Sequence, residues 1–235
     1  MPSRVPLLLL PGLACDGELF ADVVARLGDR VDARVADLGG HGTVGALADA
    51  ALAAMPAPRF ALGGLSMGGY VAFEILRRAP QRVAAVAFMS TSARPDTPEA
   101  SENRRRLTRM AEQDYGAVVD SLLPKLMHPS HAGDPRLVKI VRGMAARVGV
   151  AAFVRQERAI IGRPDSRPDL SAIRCPTLVL AGRDDALMPA EIHEEIAGLV
   201  PGAVLAMIDH CGHLASIEQP QAVGDALERW IARVR

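Results

Sequence analysis

The 235-residue chain carries 27 Lys/Arg against 27 Asp/Glu, with 49% hydrophobic and 23% charged residues. That balance excludes the charge footprint of a nucleic-acid or anionic-membrane binder, and it excludes dominant disorder. No stretch approaches the ~20 apolar residues of a membrane-spanning helix. The length suits one sizeable α/β domain carrying at most a modest insertion.

Short apolar runs alternate with amphipathic ones. Val5 to Leu10 is a buried-strand pattern ended by Pro11 and Gly12, and Glu18 to Leu27 has helical spacing and stops at Gly28. Val31 to Ala36 reads as a strand, DLGGHG as a turn, and Val44 to Met55 as an Ala-rich helix closed by Pro56. Arg59 to Leu62 is the next expected strand, followed by GGLSMGGY, a helix through Ala79, and a strand from Arg82 to Ser90. The alternation then fails. Thr97-Pro98 and Asp134-Pro135 are helix starts, Gly149 and Gly162 are helix stops, and Ala93 to Pro168 reads as about four helices without a strand. The rhythm returns with strands at Thr177 to Ala181 and Ala203 to Ile208, and helices at Ala190 to Leu199 and Gln221 to Arg233.

This pattern predicts a mainly parallel sheet of about six strands, helices on both faces, and a helical insertion. The expected division is a core of residues 1–92 and 168–235 and a helical cap of residues 93–167. The insertion is basic: Ala93 to Pro168 holds 14 Lys/Arg and 9 Asp/Glu. Cys15, Cys175 and Cys211 form no CxxC pair and no regular framework, which fits a reducing, cytoplasmic setting better than a disulfide scaffold. The first residues, MPSRVPLLLLPGLAC, share the outline of a leader with a lipid-modified cysteine. The leucine run is broken by Pro11, however, and Gly12 stands where such a cleavage box wants an aliphatic residue.

In parallel sheets ligands sit beyond the carboxyl ends of the strands. Three of those ends carry reactive residues. Gly64-Leu65-Ser66-Met67-Gly68 is GxSxG between a strand and a helix, a turn that projects a serine hydroxyl from the tip of the sheet. The plain alternative is Ser66 as a helix cap. Gly182-Arg183-Asp184-Asp185 follows the strand at Thr177, and Asp209-His210-Cys211-Gly212-His213 follows the strand at Ala203. A serine hydroxyl needs a base and a group to orient that base.

With LLLLPGLACDGELF, DLGGHG, GLSMGGYVAFEI, CPTLVLAGRDDALMP and DHCGHLASIEQP in this order over nearly its whole length, the chain resembles the α/β-hydrolase superfamily. It looks like the small capped carboxylesterases, enol-lactonases and carbon-carbon bond hydrolases. The resemblance implies Ser66 as nucleophile, Asp185 as orienting acid with Asp184 as a substitute, and His213 as base. It implies an oxyanion hole from the backbone N–H groups of Leu13 and Met67. The expected activity is hydrolysis of a small carboxylic ester or lactone through an acyl-enzyme. The alternatives are a carbon-carbon hydrolase or acyltransferase with the same triad, or a non-catalytic binder. A histidine base predicts activity that rises through mildly acidic pH. The chemistry calls for no cofactor and no metal, and the expected partner is a small-molecule ester or lactone, not nucleic acid or membrane.

The chain departs from its relatives in having Pro11-Gly12 where many have His-Gly, and Gly39 in place of a frequent proline. His41 in that turn reads as structural. Beginning at the family's third strand, the chain is expected to lack the usual antiparallel hairpin. Leu126, Met127, Met144 and Met188 are expected pocket walls, though such residues also serve as plain core. Arg104, Arg105 and Arg106 read best as a solvated helix face. In DHCGH, only His213 has partners at other strand ends. A zinc site would need three or four converging ligands, and His210, Cys211 and His213 share one loop.

Overall fold

The computed structural model describes residues 4–234. Met1–Ser3 and Arg235, the extreme ends of the expected core and the start of the leader-like stretch, lie outside the described residues.

Six strands alternate with helices. In chain order they are β1 (Val5–Leu10), α1 (Ala21–Leu27), β2 (Val31–Val35), α2 (Val44–Ala54), β3 (Phe60–Leu65), α3 (Met67–Arg78) and β4 (Val83–Met89). Three helices follow, α4 (Pro98–Gln113), α5 (Tyr115–Leu126) and α6 (Pro135–Ile161), before β5 (Thr177–Gly182), α7 (Ala190–Leu199), β6 (Val204–Ile208), α8 (Ala215–Glu218) and α9 (Pro220–Ile231). The strands form one sheet in the order β2-β1-β3-β4-β5-β6, and every neighbouring pair is parallel.

The leucine run of the N-terminus is strand β1, lying between β2 and β3. Because it is covered on both faces, it shows no polar alternation. Its side chains alternate instead between two cores. Leu7 and Leu9 face the side packed by α1, α8 and α9, whereas Leu8 and Leu10 face the side packed by α2, α3 and α7. The third strand is longer than its sequence suggests. Gly63 and Gly64, which read as the beginning of a turn, stay in register with Leu9 and Leu10, so the turn shrinks to Ser66 alone.

Local capping explains where the intervening helices begin. Thr97 Oγ1 accepts from Ala100 N at 3.1 Å and Asp134 Oδ1 from Arg136 N at 2.7 Å, each with a proline at the first helical position. Asp114 caps α5 in the same way, its Oδ1 accepting from Ala117 N at 2.9 Å. Gly149 interrupts α6, as its place in the sequence implies: its φ 76° and ψ 160° lie outside the helical region, and two helical segments meet there at a kink. Leu137, Val141, Met144 and Ala145 ahead of the bend join the core over α1, while Ala159 and Ile160 behind it join the core over α3. The two segments thus contribute one to each core.

A Cβ at Gly149 would meet open space, so only backbone strain opposes a side chain there. Gly149→Ala is expected to lower the unfolding free energy by about 1–3 kcal/mol, as urea denaturation would measure.

Candidate active site

The site begins with a backbone constraint. Ser66 has φ 54° and ψ −115°, a conformation that L side chains rarely adopt, and it separates the last residue of β3 from the first of α3. Two glycines permit it. A Cβ on Gly64 would overlap the Gly68 carbonyl, and one on Gly68 would overlap the Leu10 carbonyl of the neighbouring strand. Hydrogen bonds hold the turn: Ser66 N donates to Met89 O at 2.9 Å, and Ser66 O accepts from Gly69 N at 2.9 Å and Thr91 Oγ1 at 2.8 Å. The serine hydroxyl bonds to no other described residue and borders a cavity of about 230 Å³.

His213 borders the same cavity. Its Nδ1 lies 2.7 Å from Asp185 Oδ2, and both side chains are buried. The other Asp185 oxygen accepts from Leu187 N at 2.9 Å and Met188 N at 3.0 Å, so both carboxylate oxygens are hydrogen-bonded. Asp184 is turned away: its side chain is largely solvated, with His128 Nε2 at 3.8 Å. Asp185, rather than Asp184, therefore contacts the histidine.

Leu13 lies in the loop after β1 and also borders the cavity. Its N–H donates to no described group, and Met67 N–H, at the first position of α3, has no acceptor within the helix. The loop is held from above. Ala14, itself at φ 58°, donates its N–H to Gln156 Oε1 at 2.9 Å, and Gln156 Nε2 donates to Leu38 O at 3.3 Å. Gln156 escaped the sequence reading because its partner is 142 residues away.

Glu218 was missed for the same reason. Its side chain is fully buried; Oε1 accepts from Gly212 N at 3.0 Å, and Oε2 takes His128 N at 2.7 Å and His131 Nδ1 at 3.0 Å. One carboxylate thereby fastens the His213 loop to the segment after α5. His210, at φ 51°, stacks edgewise on His128 at 5.8 Å and does not enter the Asp185–His213 pair. Cys211 is buried, and burial pushes its thiol up. His193 of α7 is also buried, with both ring nitrogens unpartnered, and burial lowers it toward the neutral form.

Of the expected pocket walls, Leu126 and Met188 border the cavity. Met127 and Met144 do not; they are 2% and 0% exposed and pack in the core over α1, where flexible thioethers fill space between helix and sheet. The arginine run is split as well. Arg105 and Arg106 lie on the solvated face of α4, but Arg104 turns inward and pairs with buried Asp96 and Glu157. A larger groove of about 580 Å³, lined by Arg59, Arg77 and Arg174 among others, contains none of the strand-end residues. No described helix is long and apolar enough to cross a membrane.

A parallel sheet with a strained serine at one strand end and a buried acid–histidine pair at two others defines a class, and the comparisons agree. Residues 7–226 match the alpha/beta hydrolase family, and the chain belongs to it. It is 30% identical over 243 residues to the pimeloyl-[acyl-carrier protein] methyl ester esterase of Xanthomonas campestris pv. campestris, covering 96% of this chain and 94% of that protein. Among solved structures it resembles a thermophilic esterase from Thermogutta terrifontis, with a TM-score of 0.89 and 32% identity over 99% of this chain and 91% of that one. The enol-lactonase of Burkholderia xenovorans LB400 superposes with a TM-score of 0.88 at 23% identity, covering 97% and 92% of the two chains, and shows the fold alone.

Two outcomes test this arrangement. Glu218→Ala leaves three donors unsatisfied and is expected to cost about 1–3 kcal/mol of stability by thermal or urea denaturation. Cys15, which borders the cavity, has its thiol pushed up to about 12, chiefly by burial. It therefore stays protonated at pH 8, and iodoacetamide mass labelling at that pH should leave it unmodified.

Proposed function

We propose that the protein is a serine esterase that hydrolyses a small carboxylic ester through an acyl-enzyme on Ser66. The observation that carries this reading is the buried 2.7 Å contact between His213 Nδ1 and Asp185, with the His213 ring and Ser66 bordering one cavity. When Nδ1–H donates to the carboxylate, Nε2 is left with its lone pair to receive a proton.

In the proposed cycle His213 Nε2 takes the Ser66 proton as Oγ attacks the ester carbonyl. Asp185 stabilises the imidazolium, and the free N–H groups of Leu13 and Met67 donate to the developing oxyanion, favoured by the N-terminal end of α3. His213 then returns the proton to the leaving alcohol. Water, activated by the same nitrogen, releases the acid. Helices α4 to α6 act as the cap, closing the cavity and shaping the acyl site. Relatives at 30% identity and above bear esterase names, which favours an ester over a lactone or a carbon-carbon bond. A methyl ester of an acyl chain, the bond named for the Xanthomonas relative, is the first substrate class to test.

Ser66→Ala and His213→Ala are each expected to reduce kcat/KM for nitrophenyl and methyl esters by about 10⁴-fold or more. His210→Ala should lose less than about tenfold, since its ring contacts His128 and not the Asp185–His213 pair. Equal rates for Ser66→Ala and wild type would end the serine mechanism, and equal losses at His210 and His213 would end the assignment of the base.

A further inference from the structure

Most of the cavity wall is apolar, built from residues such as Leu107, Val119, Leu122, Phe153 and Ile160. One part is not. Arg104 of α4 and Glu157 of α6 both border the cavity, and Arg104 Nη1 donates to Glu157 Oε2 at 3.0 Å. Arg104 Nε donates to Asp96 Oδ2 at 2.7 Å, and Asp96 is shared with Arg163, whose guanidinium lies 4.2 Å from the Tyr70 ring centroid. Two guanidinium groups and two carboxylates make a cluster that is neutral as a unit.

Two hydrogen-bonding positions in this cluster are unfilled. Glu157 Oε1 is buried without a partner, and Arg104 Nη2 donates to no described acceptor. The Glu157 side chain is 1% exposed, and burial drives its carboxyl upward against the pull of Arg104. An unmet buried acceptor is costly. The open acceptor and open donor belong to side chains that are already bonded to each other, so a single ligand group could meet both.

We propose that this pair anchors the substrate: the ester taken by the site carries a hydroxyl on its acyl chain, remote from the scissile carbonyl. The hydroxyl donates to Glu157 Oε1 and accepts from Arg104 Nη2. The inference rests on the esterase reading, which puts the acyl chain in this cavity. A terminal carboxylate fits worse, because it would add a third negative charge to a balanced cluster beside the open Glu157 oxygen. Lys125, the other cation bordering the cavity, is solvent-exposed and offers little compensation.

The test compares three esters, methyl 6-hydroxyhexanoate, methyl hexanoate and monomethyl adipate, as ligands of Ser66→Ala by calorimetry and as substrates of the wild type. The hydroxy ester is expected to bind at least about tenfold tighter than the unsubstituted one, with the half-acid weakest. In the double variant Ser66→Ala/Glu157→Gln, an amide oxygen remains for Arg104 while the open acceptor becomes a donor, and the preference should fall toward one. Equal binding of the first two esters, tightest binding of the half-acid, or an unchanged preference in the double variant would overturn the anchor. The comparison in Ser66→Ala stands even if the double variant does not fold. Selective binding with no turnover of any ester by the wild type would support the anchor and overturn the esterase reading instead.

Discussion

The whole site depends on one backbone crossing. β3 must hand over to α3 in a single residue, and Ser66 does so at φ 54° only because Gly64 and Gly68 let the helix sit against the sheet. The strain is offset by bonds from neighbouring strand ends, Met89 O on one side and Thr91 Oγ1 on the other. The same geometry does three things. It sets the serine on the cavity wall, leaves the Met67 N–H without an acceptor inside the helix, and places the N-terminal end of α3 directly after the serine.

A reactive turn has to be met by groups on other strands, and the structure holds these by buried polar bonds rather than by packing alone. Asp185 uses one oxygen for two backbone N–H groups and the other for His213. Gln156 ties the loop carrying Leu13 to α6, and Glu218 ties the loop carrying His213 to the segment after α5. Both ties join the sheet to the helices above it. The positions of the Leu13 N–H and of the His213 ring therefore depend on those helices. Buried amide and carboxylate groups suit this task because a broken bond in a dry setting costs more than a lost contact.

Much of this was legible in the sequence. Strand β1 runs over Val5–Leu10 as its apolar run implied, and α4 and α6 begin at the capping residues Thr97 and Asp134. The three strand-end residues Ser66, Asp185 and His213 were readable because each sits in a short local pattern within a recognisable order. What escaped was non-local. Gly63 and Gly64 look like a turn by propensity, and only pairing with β1 makes them strand. Gln156 lies in a stretch that reads as ordinary helix and Glu218 in the motif segment after His213, and their partners are 142 and 90 residues distant. Arg104 sits in a run of three arginines, and nothing in the run says which one turns inward. Met127 and Met144 show the converse: a residue type suited to pockets is equally suited to filling core.

The cluster of Arg104, Glu157, Asp96 and Arg163 is the part of the protein that stability explains least. Burying four charges exacts a desolvation cost that their mutual attraction barely recovers, and apolar side chains of the same volume would commonly do as well or better. The buried carboxylates of Asp185 and Glu218 use both oxygens in hydrogen bonds and serve to hold loops in place. Here the bonding is incomplete on Glu157. A structural network gains nothing from a buried acceptor left open, whereas a binding wall does, because the acceptor's desolvation is already spent when a ligand's hydroxyl arrives and the bond formed then counts almost wholly toward affinity. The surrounding aliphatic and aromatic wall supplies affinity without direction. The charged cluster supplies direction, and holding it between α4 and α6 makes that direction a property of the closed cavity.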